Sequence, residues 1–232
     1  FDALKALPAQ GDKPVSVIIR SHGAPRFVHD YIRERGFRLV DATCPFVGKI
    51  HRIVEEESKK GRKIIIIGND KHPEVEGIKG WCTDTPVVIG SAEEAKAFTQ
   101  GVKRDIPITV VAQTTFNLNK FQEIVEILED YCYDDNTVNT ICNATEARQK
   151  EAEELAGRMD AMLVVGGARS SNTQKLFEIC SSKCKRTYFV QSAKELTEED
   201  FSLVNRLGVT AGASTPNYII EEIMDYVRVN FW

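Results

Sequence analysis

An α/β fold of repeated strand–helix units is predicted for this 232-residue chain by three observations in its sequence. First, two long stretches copy each other. Asp41-Ala-Thr-Cys44-Pro45 leads through a helical segment to the apolar run at 63–67, then to Gly68 and a polar loop holding His72 and Glu74. Asn139-Thr-Ile-Cys142 leads likewise to the apolar run at 161–165, then to Gly166 and Ser170-Ser171-Asn172. In both copies 24 positions separate the cysteine from the glycine. Second, Val88-Ile-Gly-Ser-Ala-Glu-Glu94 is echoed by Phe189-Val-Gln-Ser-Ala-Lys-Glu195, each a strand end followed by a Ser-capped helix start. Third, the runs beginning at Val17, Val110 and Val209 each place a polar residue past an apolar strand, putting His22, Thr114 and Ser214 in equivalent positions. Repetition at a period of roughly a hundred residues indicates units arranged about a common axis rather than a short-period solenoid. The expected architecture is three pseudo-threefold-related α/β units around a central site. Residues 1–43 form the second half of unit one, 44–141 unit two and 142–232 unit three. The first unit is incomplete, so the chain is expected to lack an N-terminal segment.

Composition narrows the function. A hydrophobic fraction of 42% with 28% charged residues is ordinary for a globular protein with a sizeable core. A net charge of −4 gives no general attraction to nucleic acid or to an anionic membrane, so neither is an expected partner. No apolar run approaches the ~20 residues of a membrane helix, and no export leader is recognisable. Six cysteines in a chain this size fit reduced thiols, and a bacterial cytoplasm or a plastid stroma is the expected compartment.

In chain order, 15–20 reads as a buried strand and 26–35 as a helix, joined by the tight turn Ser21-His22-Gly23-Ala24-Pro25. His22 alone fits a turn histidine bonded to backbone, but its equivalence with Thr114 and Ser214 favours a ligand-facing role. A short strand at 38–40 precedes Cys44, and Pro45 suits the first position of a helix running to about Lys60. Cys44 therefore sits at a helix N-terminus, where the helix dipole favours thiolate, and Cys142 sits the same way. His72 and Glu74 follow a strand of four isoleucines in a loop bounded by Gly68 and Gly77, which suits proton handling beside a ligand as well as it suits a solvated turn. A strand at 107–111 ends at Gln113-Thr114-Thr115, ahead of a helix around 120–130. The Gly166–Asn172 loop offers flexible backbone, two hydroxyls and an amide at a helix start, the chemistry of an anion site. A last small-residue turn at 210–216 carries Ser214 and opens the terminal helix. Cys82 and Cys132 read as packing residues. Cys180 and Cys184, four apart, lack a nearby partner motif that would complete a zinc site.

Around one axis, strand-end loops converge as ligand sites do in open α/β sheets. Two thiolates, a third expected from the missing half unit, and neutral donors for an anion point to an iron–sulfur cluster beside a phosphate-bearing substrate. The joint runs Asp-Ala-Thr-Cys44-Pro, His72-Pro-Glu-Val-Glu-Gly, Gln113-Thr-Thr, Ile141-Cys-Asn-Ala-Thr, Ser170-Ser-Asn and Thr210-Ala-Gly-Ala-Ser-Thr-Pro resemble the signature of the LytB/IspH family of hydroxymethylbutenyl diphosphate reductases. The resemblance spans residue 15 to about residue 230. It implies an iron–sulfur oxidoreductase that removes the hydroxyl of 4-hydroxy-3-methylbut-2-enyl diphosphate, the last step of the non-mevalonate isoprenoid pathway. It implies a [4Fe-4S] cluster with Cys44 and Cys142 as ligands and the third cysteine in the missing N-terminus, so that this segment alone would be inactive. It further implies His22, His72, Ser170, Ser171, Asn172 and Ser214 as substrate binders, and Glu74, His72 and Thr114 at the reactive end, with Glu74 as proton source. Ferredoxin or flavodoxin would be the electron donor. Two other classes remain at this point: a non-catalytic phosphate-ligand-binding α/β repeat protein, and a zinc-bound or purely structural repeat.

Overall fold

The computed structural model describes residues 1–7, 15–132, 134–197, 201 and 204–231. Every strand pair among them is parallel. A parallel neighbour requires a crossover connection, and helices provide it. The chain divides into two compact units, residues 1–114 with 119–140, and residues 115–118 with 141–232. Among the described residues no helix is long and apolar enough to cross a membrane.

The first unit opens with α1 (Asp2–Lys5), then β1 (Ser16–Ile19), α2 (Arg26–Glu34) and β2 (Arg38–Asp41), the two strands paired with Ile19 opposite Asp41. Cys44 N-caps α3 (Pro45–Lys59), with Pro45 at the first helical position, where its missing N–H costs nothing. There follow β3 (Lys63–Ile67), α4 (Pro73–Lys79), β4 (Val87–Ile89), α5 (Ala92–Gly101), β5 (Ile108–Ala112), α6 (Leu118–Glu129) and β6 (Asp135–Thr137). The strands form a sheet of order β4-β3-β5-β6. Ile64 and Ile66 point into a cluster with Ile50 and Val54 of α3, Val75 and Ile78 of α4, and Val111. Ile65 and Ile67, on the opposite face, are equally buried. A four-isoleucine run is what a parallel strand covered on both faces demands.

The second unit repeats this plan. It contains α7 (Asn143–Ala156), β7 (Ala161–Val165), α8 (Ser171–Lys183), β8 (Thr187–Val190), a 3₁₀ turn (Ala193–Glu195), β9 (Leu207–Ala211) and α9 (Asn217–Phe231). Its sheet order β8-β7-β9 matches β4-β3-β5. Met162 and Val164 pack against Ala152, Ala156, Leu176 and Cys180 of α7 and α8, whereas Leu163 and Val165 face Val190 and α9 through Ile223 and Val227.

Three elements differ from the sequence-based expectation. The stretch from His72 is the start of a helix rather than a loop, because the His72 side chain caps it, Pro73 fills its first position and Glu74 and Glu76 lie in its first turn. Ser192 does not cap an α-helix. Only a three-residue 3₁₀ turn follows it, without a side-chain capping bond, whereas Ser91 does cap α5 through Glu94 N. Finally, β6 is a strand of Asp, Asn and Thr whose apolar signal is nil, and its pairing with β5 places Cys142 after a strand just as β2 places Cys44.

The end of β5 is pinned by Thr140. Its buried hydroxyl accepts from Ala112 N at 2.7 Å and donates to Ala112 C=O at 2.6 Å. Thr140→Val leaves both buried backbone groups unpaired, at about 1–3 kcal/mol for each unsatisfied group. Urea unfolding of the variant is expected to show that loss, and an unchanged midpoint would mean that this bond pair does not hold the strand end.

Candidate active site

In the first unit, β3 and β5 lie side by side with Ile67 opposite Ala112, so the residues just past each strand meet. Gln113 Oε1 accepts from Asn69 N at 3.1 Å and ties the two strand ends together. Beyond Asn69, the His72 Nδ1 accepts from Glu74 N at 3.2 Å. Accepting there requires a lone pair on Nδ1, which leaves the proton of the neutral ring on Nε2 as a donor. Glu74 is only 2% exposed, a rare condition for a carboxylate. Its Oε1 accepts from Thr114 N at 2.6 Å and its Oε2 bonds Thr114 Oγ1 at 2.7 Å. Burial raises the Glu74 pKa above the ordinary glutamate value, and the two Thr114 bonds oppose that rise. The Thr114 hydroxyl donates to the ionised carboxylate and accepts from the protonated one. The contact therefore survives a change of charge.

His22, in the turn after β1, has its ring 5.5 Å from that of His72 at an edge-on 75°. Its buried Nδ1 has no partner among the described residues. Burial lowers the His22 pKa, with Arg20 adding to it, and burial followed by the charge of His22 lowers that of His72. Both rings are thus biased toward the neutral form at neutral pH. The structure brings His22 next to His72 and Glu74 onto Thr114.

The second unit gathers the other predicted residues at the start of α8. Ser170 is its N-cap and accepts from Thr173 N at 3.3 Å. Ser171 Oγ lies 2.9 Å from Thr115 Oγ1. Asn172 is buried, and neither its amide oxygen nor its amide nitrogen has a partner among the described residues. Glu74 and Asn172 occupy the same second position of their helices. Ser214 is exposed, on the loop that follows β9, and Gly212 N bonds Val165 O at 2.9 Å to hold that loop beside the end of β7. Unpartnered buried amide atoms at a helix N-terminus are donors and acceptors in wait of a polar ligand.

Cys44 and Cys142 are free, half-buried thiols at the N-caps of α3 and α7, and neither side chain makes a capping bond. Soft donors at helix N-termini suit iron–sulfur ligation. Cys82, Cys132 and Cys180 do not: burial pushes Cys82 up to about 12 and Cys180 to about 11, and raises Cys132, all against the thiolate a metal needs. Among the described residues no three His, Cys, Asp or Glu side chains gather as a metal site.

The sequence profile of a family described as LytB protein matches residues 3–228. The chain belongs to the LytB family. It is 45% identical over 219 residues to the 4-hydroxy-3-methylbut-2-enyl diphosphate reductase of Thermoanaerobacter sp. (strain X514), covering 94% of this chain and 74% of that protein. It is 42% identical over 214 residues to the reductase of the same name from Clostridioides difficile (strain 630), covering 92% and 75%. A solved structure of (E)-4-hydroxy-3-methyl-but-2-enyl diphosphate reductase, described as the terminal enzyme of the non-mevalonate pathway, is 35% identical with a TM-score of 0.59 over 98% of this chain and 82% of that one. The structure of E-1-hydroxy-2-methyl-but-2-enyl-4-diphosphate reductase from Plasmodium falciparum shares the fold, with a TM-score of 0.87 at 24% identity over 97% of this chain and 69% of that one.

In this LytB chain several residues beyond the predicted set bear on the site. Thr173, fully buried with a hydroxyl that has no partner among the described residues, lies 2.6 Å from where a Cβ on Gly166 would stand, and Gly212 is bare for the same oxygen. Gly166 also has φ +152, so it is glycine on two counts. The only sequence signal was the two glycines, each one residue past an apolar strand.

Because the raised Glu74 pKa makes the native state bind more protons than the unfolded chain, this residue lowers stability as pH rises from the ordinary glutamate value through the raised one. The lowered histidines act oppositely, so the comparison must be made between variants. Urea unfolding across pH 4–8 is expected to show Glu74→Gln gaining on the parent protein as pH rises. A constant difference across that range would mean that the buried carboxyl is not perturbed.

Proposed function

We propose that the protein is a 4-hydroxy-3-methylbut-2-enyl diphosphate reductase, acting in the last step of the non-mevalonate pathway. The curated relatives carry that name at 42–45% identity. The single observation that carries the chemistry is the Glu74 carboxyl, buried, biased toward its protonated form and bonded through both oxygens to Thr114. The substrate gains two electrons and two protons and loses water, so a carbon–oxygen bond breaks, a carbon–hydrogen bond forms, and the departing hydroxyl needs a proton. A [4Fe-4S] cluster, with Cys44 and Cys142 as two of its thiolates and a third cysteine implied upstream by the family resemblance, would supply electrons and Lewis acidity. Ferredoxin or flavodoxin is the donor the same resemblance implies.

The chain's own residues do the rest in this reading. Glu74 Oε2 gives the proton, directly or through the Thr114 hydroxyl, and the bond between them stays made as the carboxyl ionises. His72 presents its Nε2–H to the reactive end of the substrate. Asn172, Ser170, Ser171 and Ser214 bind the diphosphate with neutral donors and the N-terminus of α8, where anions are favoured by about 0.3–1 kcal/mol even at exposed sites. His22 joins them. A phosphate-binding module without catalysis would have no use for a buried acid opposite Thr114.

Two measurements on the complete protein test this. With a chemical reductant, Glu74→Gln is expected to lower kcat by about 10²–10⁴-fold, the usual contribution of a general acid, while iron content and substrate affinity stay the same. Near-normal turnover would remove Glu74 from the proton path. Asn172→Ala and Ser170→Ala are expected to raise the dissociation constant for the diphosphate without changing iron content, and unchanged affinity in both would reduce that loop to a turn.

A further inference from the structure

The turn that carries His22 is clamped from two sides. On one side stands His51 of α3, only 4% exposed, with the Cε1–Nε2 edge of its ring against Gly23. A Cβ on Gly23 would lie 2.5 Å from His51 Cε1 and 3.1 Å from Nε2. Gly23 has φ +74 and its N–H closes the turn onto Arg20 O at 3.0 Å. On the other side lies the end of α4: Trp81 Nε1 donates to Ala24 O at 2.9 Å, and Gly80 O accepts from Arg26 N at 3.3 Å. The two sides meet, because His51 stacks on Trp81 with centroids 5.1 Å apart and planes 17° from parallel. The same α4 begins with His72 and Glu74, and α3 begins after Cys44.

We propose that His51, backed by Trp81, is a positioning residue that fixes the Ser21–Pro25 turn and thereby holds the His22 ring beside His72. The inference rests on the reductase reading for its kinetic consequence, though not for its geometry. His51 acts by shape. Its buried Nε2 has no partner among the described residues, and burial lowers its pKa to about 4, so at neutral pH it is an uncharged flat ring. It also lines a cavity of about 340 Å³, shared with His29, Asp41, Arg52 and Trp81, which leaves room for a ring of slightly different size. A phenyl ring therefore substitutes for the imidazole, and a methyl group does not, because it is too short to reach the turn and leaves only Val47 Cγ1 against Gly23.

The test uses His51→Ala, His51→Phe and the milder Trp81→Phe in the complete protein with a chemical reductant. Misplacing a binding group by about 1 Å costs up to ~10²-fold, so His51→Ala is expected to raise KM by about tenfold or more. Its kcat is expected to stay near that of the parent, since the Glu74–Thr114 bonds involve neither the turn nor His51. His51→Phe is expected to restore KM. A parental KM in His51→Ala, or His51→Phe as impaired as His51→Ala, overturns the proposal. If His51→Ala does not fold, Trp81→Phe decides: a raised KM supports the clamp and a parental KM overturns it. Crystal structures separate this from the reductase reading. The His22–His72 contact is expected to persist in His51→Phe and open in His51→Ala, and its persistence in His51→Ala overturns the inference whether or not the protein reduces the diphosphate.

Discussion

A carboxyl group taken out of water is costly, and the first unit places one beneath the ends of two strands. Glu74 is 2% exposed and both its oxygens are occupied by one residue, Thr114. An isolated buried carboxylate either finds partners or takes up a proton, and here both outcomes are built in. The two bonds require that β3 and β5 be neighbours in register, that α4 begin where His72 can cap it, and that Thr140 fix the end of β5. The strand order, the helix start and the pinned strand end thus converge on one side-chain contact. The contact keeps its geometry whether the proton is present or absent, which is the property a proton donor needs between turnovers.

The fold was legible because its repeat was long and its strands were extreme. Runs of isoleucine or valine, each followed by glycine after the same interval from a cysteine, announce doubly covered parallel strands, and β4-β3-β5 and β8-β7-β9 repeat one another. What was missed lay where apolar periodicity is silent. The strand β6 is Asp-Asn-Thr and exists because β5 offers it an edge, not because its residues prefer extended backbone. The helix α4 is short and starts at a histidine, an unusual cap, so Gly68 and Gly77 made it resemble a loop. Ser192 copies Ser91 in sequence, yet the residues directly after it, Ala193–Glu195, form a 3₁₀ turn rather than an α-helix.

The site was legible to the extent that chemistry repeats with position. Glu74 and Asn172 were equivalent in sequence and share the second position of their helices, so an acid in one copy and an amide in the other reads as a difference of task. Pairings across sequence were beyond reach. Nothing in the chain announces that Thr114 occupies both oxygens of Glu74, that Ser171 meets Thr115, or that Thr173 is admitted only because Gly166 and Gly212 are bare. His51 and His29 were invisible for the same reason: each is one polar residue on an otherwise ordinary helix, and its burial against Trp81 is decided by packing.

The chemistry of the site depends on the state of one carboxyl. Carbon-13 NMR of the protein labelled at glutamate side-chain carboxyls, followed through a pH titration, reads each acid directly. One glutamate is expected to titrate above the ordinary value near 4.3, with that resonance missing from Glu74→Gln. If every glutamate titrates at or below the ordinary value, Glu74 is a plain structural carboxylate, and the proton must reach the substrate from elsewhere.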